Sequence, residues 1–168
     1  MISLLSGIHY DVMGLGRYRP VTYAAVCAAV FALASCATLQ RWGDQGAVKQ
    51  VVQDINAGRA QALTAMSATP FLIDGEVVPI AGDVSDFWDG IVKVGFRVDG
   101  AALDQGITAG PESYKQFAAT MEVKAFFSRY VKGGSRVLDL TTGSGMHILL
   151  LMKSDWFSWK ILGFKGPF

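Results

Sequence analysis

The chain has 168 residues, with 15 Lys and Arg, 14 Asp and Glu, and a formal net charge of +1. This balance argues against a nucleic-acid partner, because binding to phosphates depends on clustered positive charge. Only two cysteines occur, Cys27 and Cys36, which excludes a scaffold held by several disulfides.

The first predicted element is a secretory signal. Arg17 and Arg19 precede an apolar run from Val21 to Leu33. This run is about 13 residues long, whereas a helix that spans a bilayer needs about 20. A basic start followed by a short apolar run is typical of an exported protein. Because Asp11 fits poorly in such a segment, Met13 is a better start for the signal than Met1.

The apolar run leads into Leu33-Ala34-Ser35-Cys36, which resembles the Leu-small-small-Cys signature of bacterial lipoproteins. The resemblance implies cleavage before Cys36 and attachment of a diacylglyceryl lipid, with palmitate among the acyl chains, to the Cys36 thiol. It also implies a cell-envelope protein that is tethered to a membrane and faces the periplasm or the exterior. Two alternatives stay open: a buried helix that carries a cysteine, and an uncleaved signal anchor.

Such processing divides the chain into a signal peptide (1–35), a lipidated tether (36–46) and a folded domain (47–168). Removing two arginines and one aspartate with the signal leaves 13 basic and 13 acidic residues, so the mature part is neutral. Cys27 leaves with the signal and Cys36 is acylated, so the mature domain has no disulfide. About 120 residues suffice for one domain with its own hydrophobic core.

The folded part begins with two predicted helices, over 47–57 and 59–67. In the first helix, apolar residues recur at helical spacing, namely Val48, Val51, Val52 and Ile55. A β-hairpin follows, because Asp74-Gly75 lies between Phe71-Leu72-Ile73 and Glu76-Val77-Val78, and Asp-Gly is a strong hairpin turn.

A third, amphipathic helix is predicted over 82–92. Its apolar stripe is formed by Val84, Phe87, Trp88, Ile91 and Val92. Asp83 is expected to cap its N-terminus, and Asp86 to favour its first turn. The acids at 83, 86 and 89 lack the ligand spacing of an EF-hand calcium loop, so no metal site is predicted.

The second half of the domain is predicted to be mainly strands. A strand over 94–98 precedes a short helix that starts at Pro111-Glu112, and strands then follow over 123–131, 136–142, 146–152 and 156–164. A break is expected at 153–155. Gly-rich loops at 132–135 and 143–145 indicate hairpins, so neighbouring strands are expected to be antiparallel.

This order, with helices and a hairpin before a set of long strands, resembles the nuclear transport factor 2-like superfamily, which includes ketosteroid isomerase-like proteins. The resemblance rests on Phe71-Leu-Ile-Asp-Gly-Glu-Val-Val running into the helix that starts at Gly82, and on the closing strands. It implies an α+β fold in which N-terminal helices pack on a curved antiparallel sheet shaped like a cone, with the ligand site inside the cone.

A second resemblance is rejected. The segment Val137-Leu-Asp-Leu-Thr-Thr-Gly-Ser-Gly145 is similar to the strand and glycine loop that bind S-adenosylmethionine in Rossmann-type methyltransferases. Such a site needs a helix after the loop and further parallel strands. Only 23 residues follow Gly145, and they open with the strand-like Ile148 to Leu151. A hairpin turn is therefore predicted, and no cofactor.

Few residues of the mature part suggest catalysis. His147 is its one histidine, and a lone histidine at the start of an apolar strand is more often structural than catalytic. Ketosteroid isomerase-like enzymes place a carboxylate base and acidic or tyrosine donors inside the cone. The candidates that this resemblance implies are Asp99, Asp139, Tyr114 and Tyr130, and no catalytic set is assigned.

Aromatic residues are abundant, and most are expected to pack in the core. Five are candidates for lining a pocket: Trp88, Phe117, Phe127, Tyr130 and Trp159. The sequence thus predicts a lipoprotein that binds a small apolar ligand or an envelope partner protein without catalysis. The alternative is a lyase or isomerase of the ketosteroid isomerase type.

Overall fold

The computed structural model describes residues 45–99, 106–155 and 158–168. The predicted signal, the tether with Cys36, and the aromatic residues Trp156 and Phe157 lie outside these ranges. No helix among the described residues is long and apolar enough to cross a membrane.

The first part of the described chain is mainly helical. Helix α1 covers residues 45–56, and α2 covers Ala60–Met66. Strands β1 (Ser67–Ile73) and β2 (Glu76–Val78) form a hairpin. Helix α3 (Ala81–Lys93) follows it. All of these elements were predicted from the sequence.

The second part adds two helices and four strands. They are β3 (Ile107–Thr108), α4 (Tyr114–Phe117), α5 (Met121–Tyr130), β4 (Arg136–Thr141), β5 (His147–Asp155) and β6 (Ser158–Lys165). The fold class is α+β, as predicted, and all described residues belong to one compact unit.

The six strands form one curved, open sheet in the order β2-β1-β6-β5-β4-β3. The predicted all-antiparallel sheet is wrong in one place, because β1 and β6 are parallel. The chain turns back after β1 and reaches the other edge of β1 only after several elements, so β6 arrives in the same direction as β1. The remaining pairs are antiparallel.

Both faces of the sheet are covered by helices. Strand β5 shows this clearly, since Ile148, Leu150 and Met152 belong to a first core with α1, α2 and α3. Leu149 and Leu151 belong to a second core with α4 and α5. A strand buried on both faces needs a continuous apolar run, which explains the sequence Ile148 to Met152.

The predicted strand over 123–131 is wrong, because these residues lie in α5. Thr120 caps this helix, and its Oγ1 accepts a hydrogen bond from the backbone N–H of Val123 at 3.3 Å. Val123, Phe126 and Phe127 are buried, which is the spacing of one helix face. The loop at 132–135 therefore joins a helix to a strand and is not a hairpin.

Two smaller predictions also need correction. Residues 94–98 do not form a regular strand; they contain a turn and one isolated bridge between Val98 and Thr142. The break expected at 153–155 is absent, because β5 continues to Asp155 and pairs with Ser158 of β6. The polar residues Lys153 and Ser154 pair across to Lys160 and Trp159 of β6.

The other two predicted hairpin turns are confirmed. Asp74 and Gly75 have positive φ angles of 49° and 96°, as a two-residue turn of this kind requires. The Gly143–Gly145 loop joins β4 to β5, which pair antiparallel from Thr141 opposite His147 to Arg136 opposite Met152.

The N-cap of helix α3 lies three residues before Asp83, the predicted cap. The N-cap is Ile80, without a side-chain hydrogen bond, and Asp83 lies in the first turn, where its charge favours the helix dipole. Trp88 is fully buried in the first core, while Phe87 and Ile91 are half-buried against it. Asp86 and Asp89 are exposed, as predicted.

Candidate functional site

The five aromatic residues expected to line a pocket are divided between the two faces of the sheet. Trp88 and Trp159 belong to or pack against the first core, and Phe117, Phe127 and Tyr130 belong to or pack against the second. They therefore do not surround one common cavity.

The Trp88 side chain is held in place by three phenylalanine rings that pack around it. Its ring centroid lies 4.9 Å from that of Phe87, 5.8 Å from that of Phe164 and 6.1 Å from that of Phe71. The indole N–H donates a hydrogen bond to Ser67 Oγ at 2.9 Å, so its one polar atom has a partner. Phe117 is 2% exposed within the second core. Both side chains hold the fold together.

A cavity of about 400 Å³ lies between the β1–β2 hairpin and one flank of α5. We call it the hairpin cavity. Its lining consists of Thr69, Pro70, Val77, Pro79, Glu122, Ala125, Phe126, Arg129 and Tyr130. The five α5 residues recur at three- and four-residue spacing, so they lie on one side of the helix.

The hairpin cavity is mainly apolar with two charges at its rim. The prolines, Val77, Ala125 and the two rings supply the apolar surface, and Glu122 and Arg129 are exposed. The Arg129 guanidinium lies 5.5 Å from the centroid of the Tyr130 ring, within cation–π distance. A volume of this size suits a small molecule, and the lining suits one that is largely apolar.

A second cavity, of about 490 Å³, lies on the opposite flank of α5. We call it the turn cavity, because residues of the α5–β4 turn form one wall. Its lining consists of Ala109, Gly110, Pro111, Glu112, Lys124, Phe127, Ser128, Val131, Lys132 and Gly133. Phe127 and Tyr130, both predicted as lining residues, thus contact different cavities.

The glycine loop after β4 has a structural explanation. Thr142 Oγ1 lies 2.9 Å from Ser144 Oγ, and the backbone N–H of Met146 donates to Thr142 Oγ1 at 3.1 Å. These contacts close a tight turn between two antiparallel strands. No helix follows the loop, so it lacks the geometry that a dinucleotide or S-adenosylmethionine loop requires.

The catalytic candidates lie in different surroundings. Asp139 Oδ1 is 2.8 Å from Nδ1 of His147, and the two side chains are 47% and 51% exposed. Asp99 is exposed, and Tyr114 is buried in the second core. A carboxylate base of the ketosteroid isomerase type works in an apolar pocket, which neither exposed aspartate provides.

The structure reveals residues that the sequence analysis did not single out. The predicted strand over 123–131 includes Arg129 and begins directly after Glu122, so the position of these two residues beside a cavity was missed. The spacing of Val123, Phe126, Phe127 and Tyr130, preceded by Thr120, fits an amphipathic, capped helix. This pattern would have located α5, and with it the flank that carries Glu122 and Arg129.

A buried carboxylate was missed as well. Asp54 is 1% exposed and accepts hydrogen bonds from Arg59 Nε at 2.5 Å and from Gln50 Nε2 at 3.0 and 3.1 Å. Because its charge is paired, Asp54 fixes the turn between α1 and α2. Among the described residues, no group of three or more His, Cys, Asp or Glu is arranged to hold a metal ion.

Comparisons of the chain with protein families, with curated proteins and with solved structures found no match.

Proposed function

We propose that this chain is a lipid-anchored protein of the bacterial cell envelope whose domain binds a small, largely apolar ligand without catalysing a reaction. The hairpin cavity carries this proposal, because its volume of about 400 Å³ and its lining of prolines, aliphatic residues and two rings match such a ligand. The lipid on Cys36 would keep the domain at the membrane surface, facing the periplasm or the exterior.

The anchor is supported by the sequence Leu33-Ala34-Ser35-Cys36 after a short apolar run. The alternative to a small ligand is a partner protein of the envelope, which would bind to the apolar surface of the hairpin cavity.

A cone related to the nuclear transport factor 2-like superfamily is also proposed for the domain. The early hairpin, the packing of α1, α2 and α3 on one face of the sheet, and the run from β4 to β6 support it. Helix α5 on the other face is a departure from the expected meander. The cavities described above border α5, whereas the cone interior is the site that the resemblance implies.

The enzymatic alternative, a lyase or isomerase of the ketosteroid isomerase type, has weaker support. Of its candidate groups, Asp99 and Asp139 are exposed, and Tyr114 and Tyr130 are associated with the second core, on the α5 side of the sheet. Burial is what raises the pKa of a carboxyl group for such chemistry. The binding function is therefore preferred.

The binding proposal can be tested by filling the hairpin cavity. Ala125 is exposed on α5 and lines the cavity, so Ala125→Phe occupies the site without altering either core. The full chain in phospholipid nanodiscs is irradiated with benzophenone, a neutral apolar photo-crosslinker, and the adducts are mapped by mass spectrometry. We expect adducts on α5 and the β1–β2 hairpin, reduced at least about fivefold in Ala125→Phe.

The matched control is Ala65→Phe, at an exposed position of α2. It makes the same change in side chain and in helix propensity on the other side of the sheet. The proposal predicts unchanged adducts in this variant. Adducts that avoid the hairpin cavity, or that persist equally in both variants, would contradict it.

A further inference from the structure

The two flanks of α5 differ in charge. The hairpin cavity has one acid and one base in its lining, Glu122 and Arg129. The turn cavity has two bases, Lys124 and Lys132, and one acid, Glu112. The same helix therefore borders a neutral cavity on one side and a cationic cavity on the other.

The one acid in the lining of the turn cavity forms an ion pair with a neighbouring lysine. Glu112 Oε2 lies 2.5 Å from the Nζ atom of Lys115. The hydrogen bond and charge of Lys115 lower the pKa of Glu112, and Lys124 lowers it further. Glu112 thus stays ionised with Lys115 as its ion-pair partner, so the lysines at and beside the cavity outnumber its one acid.

Neither lysine has a carboxylate of its own. Lys132 Nζ donates a hydrogen bond to the backbone carbonyl of Ser128 at 3.2 Å. Among the described residues, Lys124 and Lys132 take part in no ion pair. Both side chains are exposed, so their ammonium groups are accessible to an anion from solution.

The floor of the turn cavity is apolar. Lys124 and Phe127 are three residues apart on one flank of α5, and Val131, which directly follows the helix, lines the same cavity. Ala109 and Pro111 form the facing wall. The cavity thus combines an apolar floor with a cationic rim.

We propose that the turn cavity is a second binding site, which takes an anionic amphiphile: a carboxylate or phosphate at the end of an apolar chain. The chain lies on Phe127 and Val131, and the anion meets the ammonium groups of Lys124 and Lys132. Lys124 lies on α5 and Lys132 directly follows the end of this helix, and both line the turn cavity.

The apolar chain is an essential part of the expected ligand. Exposed ion pairs contribute little by themselves, because water and salt screen them. Inorganic phosphate alone is therefore expected to bind poorly. A neutral apolar molecule is expected to bind without the electrostatic attraction of Lys124 and Lys132. This requirement separates the turn cavity from the hairpin cavity, whose lining has no net charge.

The experiment uses two photoactivatable probes that differ only in charge: decanoic acid with a diazirine in its chain, and the primary amide of the same acid. The full chain in nanodiscs of neutral phospholipid is irradiated with each probe, and the adducts are mapped by mass spectrometry. We expect adducts of the acid at Phe127 and Val131, at least about fivefold above those of the amide. Excess decanoate and excess decyl phosphate show by competition whether carboxylate or phosphate is preferred, and inorganic phosphate should not compete.

The test variant is Lys124→Gln with Lys132→Gln, which should reduce labelling by the acid to the level of the amide. The matched control is Lys49→Gln with Lys93→Gln, at exposed positions of α1 and α3; it removes the same charge elsewhere and should leave labelling unchanged. Circular dichroism checks that both variants fold. Equal labelling by acid and amide, or an equal loss in both variants, would overturn the proposal.

Discussion

At the scale of single residues, Trp88 is the clearest case of an aromatic residue that was a candidate for ligand contact and that the structure places in the core. Its ring is fully buried and its N–H is bonded to Ser67. Asp89 is the next residue on the same helix, and its side chain is exposed. These neighbours therefore allow a sharp comparison of a core position with a surface position.

We expect Trp88→Ala to lower the free energy of unfolding by about 3–5 kcal/mol, because it removes a buried ring and leaves a cavity. Asp89→Ala should change it by less than about 0.5 kcal/mol, as is usual for exposed positions. Urea unfolding followed by circular dichroism measures both. If Trp88→Ala is as stable as the unmodified protein, Trp88 does not hold the first core together.

At the scale of elements, the sequence predicted those helices, strands and turns that local residue patterns determine. The Asp74-Gly75 and Gly143–Gly145 turns, the first three helices and the strands 136–142 and 146–152 follow from turn residues and periodicity. The strand predicted over 123–131 is wrong because its imperfect alternation was given more weight than the helical spacing that follows Thr120. The parallel pairing of β1 and β6 depends on tertiary contacts, and no local pattern indicates it.

The unrecognised helix α5 also explains why neither cavity was predicted from the sequence. Both cavities depend on where α5 lies against the sheet, so the residues on its flanks were identifiable only as helix neighbours after α5 itself was known. The pairing of Glu112 with Lys115 joins residues that are close in sequence. The cationic surplus of the turn cavity, in contrast, also depends on Lys132, which follows the end of α5.

The parallel pairing of β1 and β6 leads to a prediction at this scale. A Cβ atom at Gly163 would lie 2.8 Å from Leu72 Cβ and 2.9 Å from the Leu72 carbonyl oxygen. Gly163→Ala should therefore push β6 away from β1 and lower the free energy of unfolding by about 1–3 kcal/mol. Thermal unfolding measured by circular dichroism should show a reduced melting temperature.

Gly90→Ala is the matched control, because a Cβ atom at Gly90 in α3 meets nothing within 4 Å. Alanine is the better helix former by about 1 kcal/mol, so this variant should be slightly more stable. A loss of stability at Gly90 equal to that at Gly163 would show that the strand contact does not explain the effect.

At the scale of the whole molecule, the proposed lipid anchor would hold a domain with two cavities of different charge at a membrane. The proposed anchor would place both cavities at a membrane surface, where apolar and anionic amphiphilic molecules are concentrated. A domain released from the membrane would lose this proximity.

The most direct test of the central claim is the intact mass of the protein purified from the membranes of an expressing bacterium. We predict a chain that begins at Cys36 and carries the added mass of a diacylglyceryl group and an N-terminal acyl chain, while Cys36→Ser accumulates as the uncleaved precursor. A protein that still begins at Met1 or Met13, without lipid and unaffected by Cys36→Ser, would contradict the account.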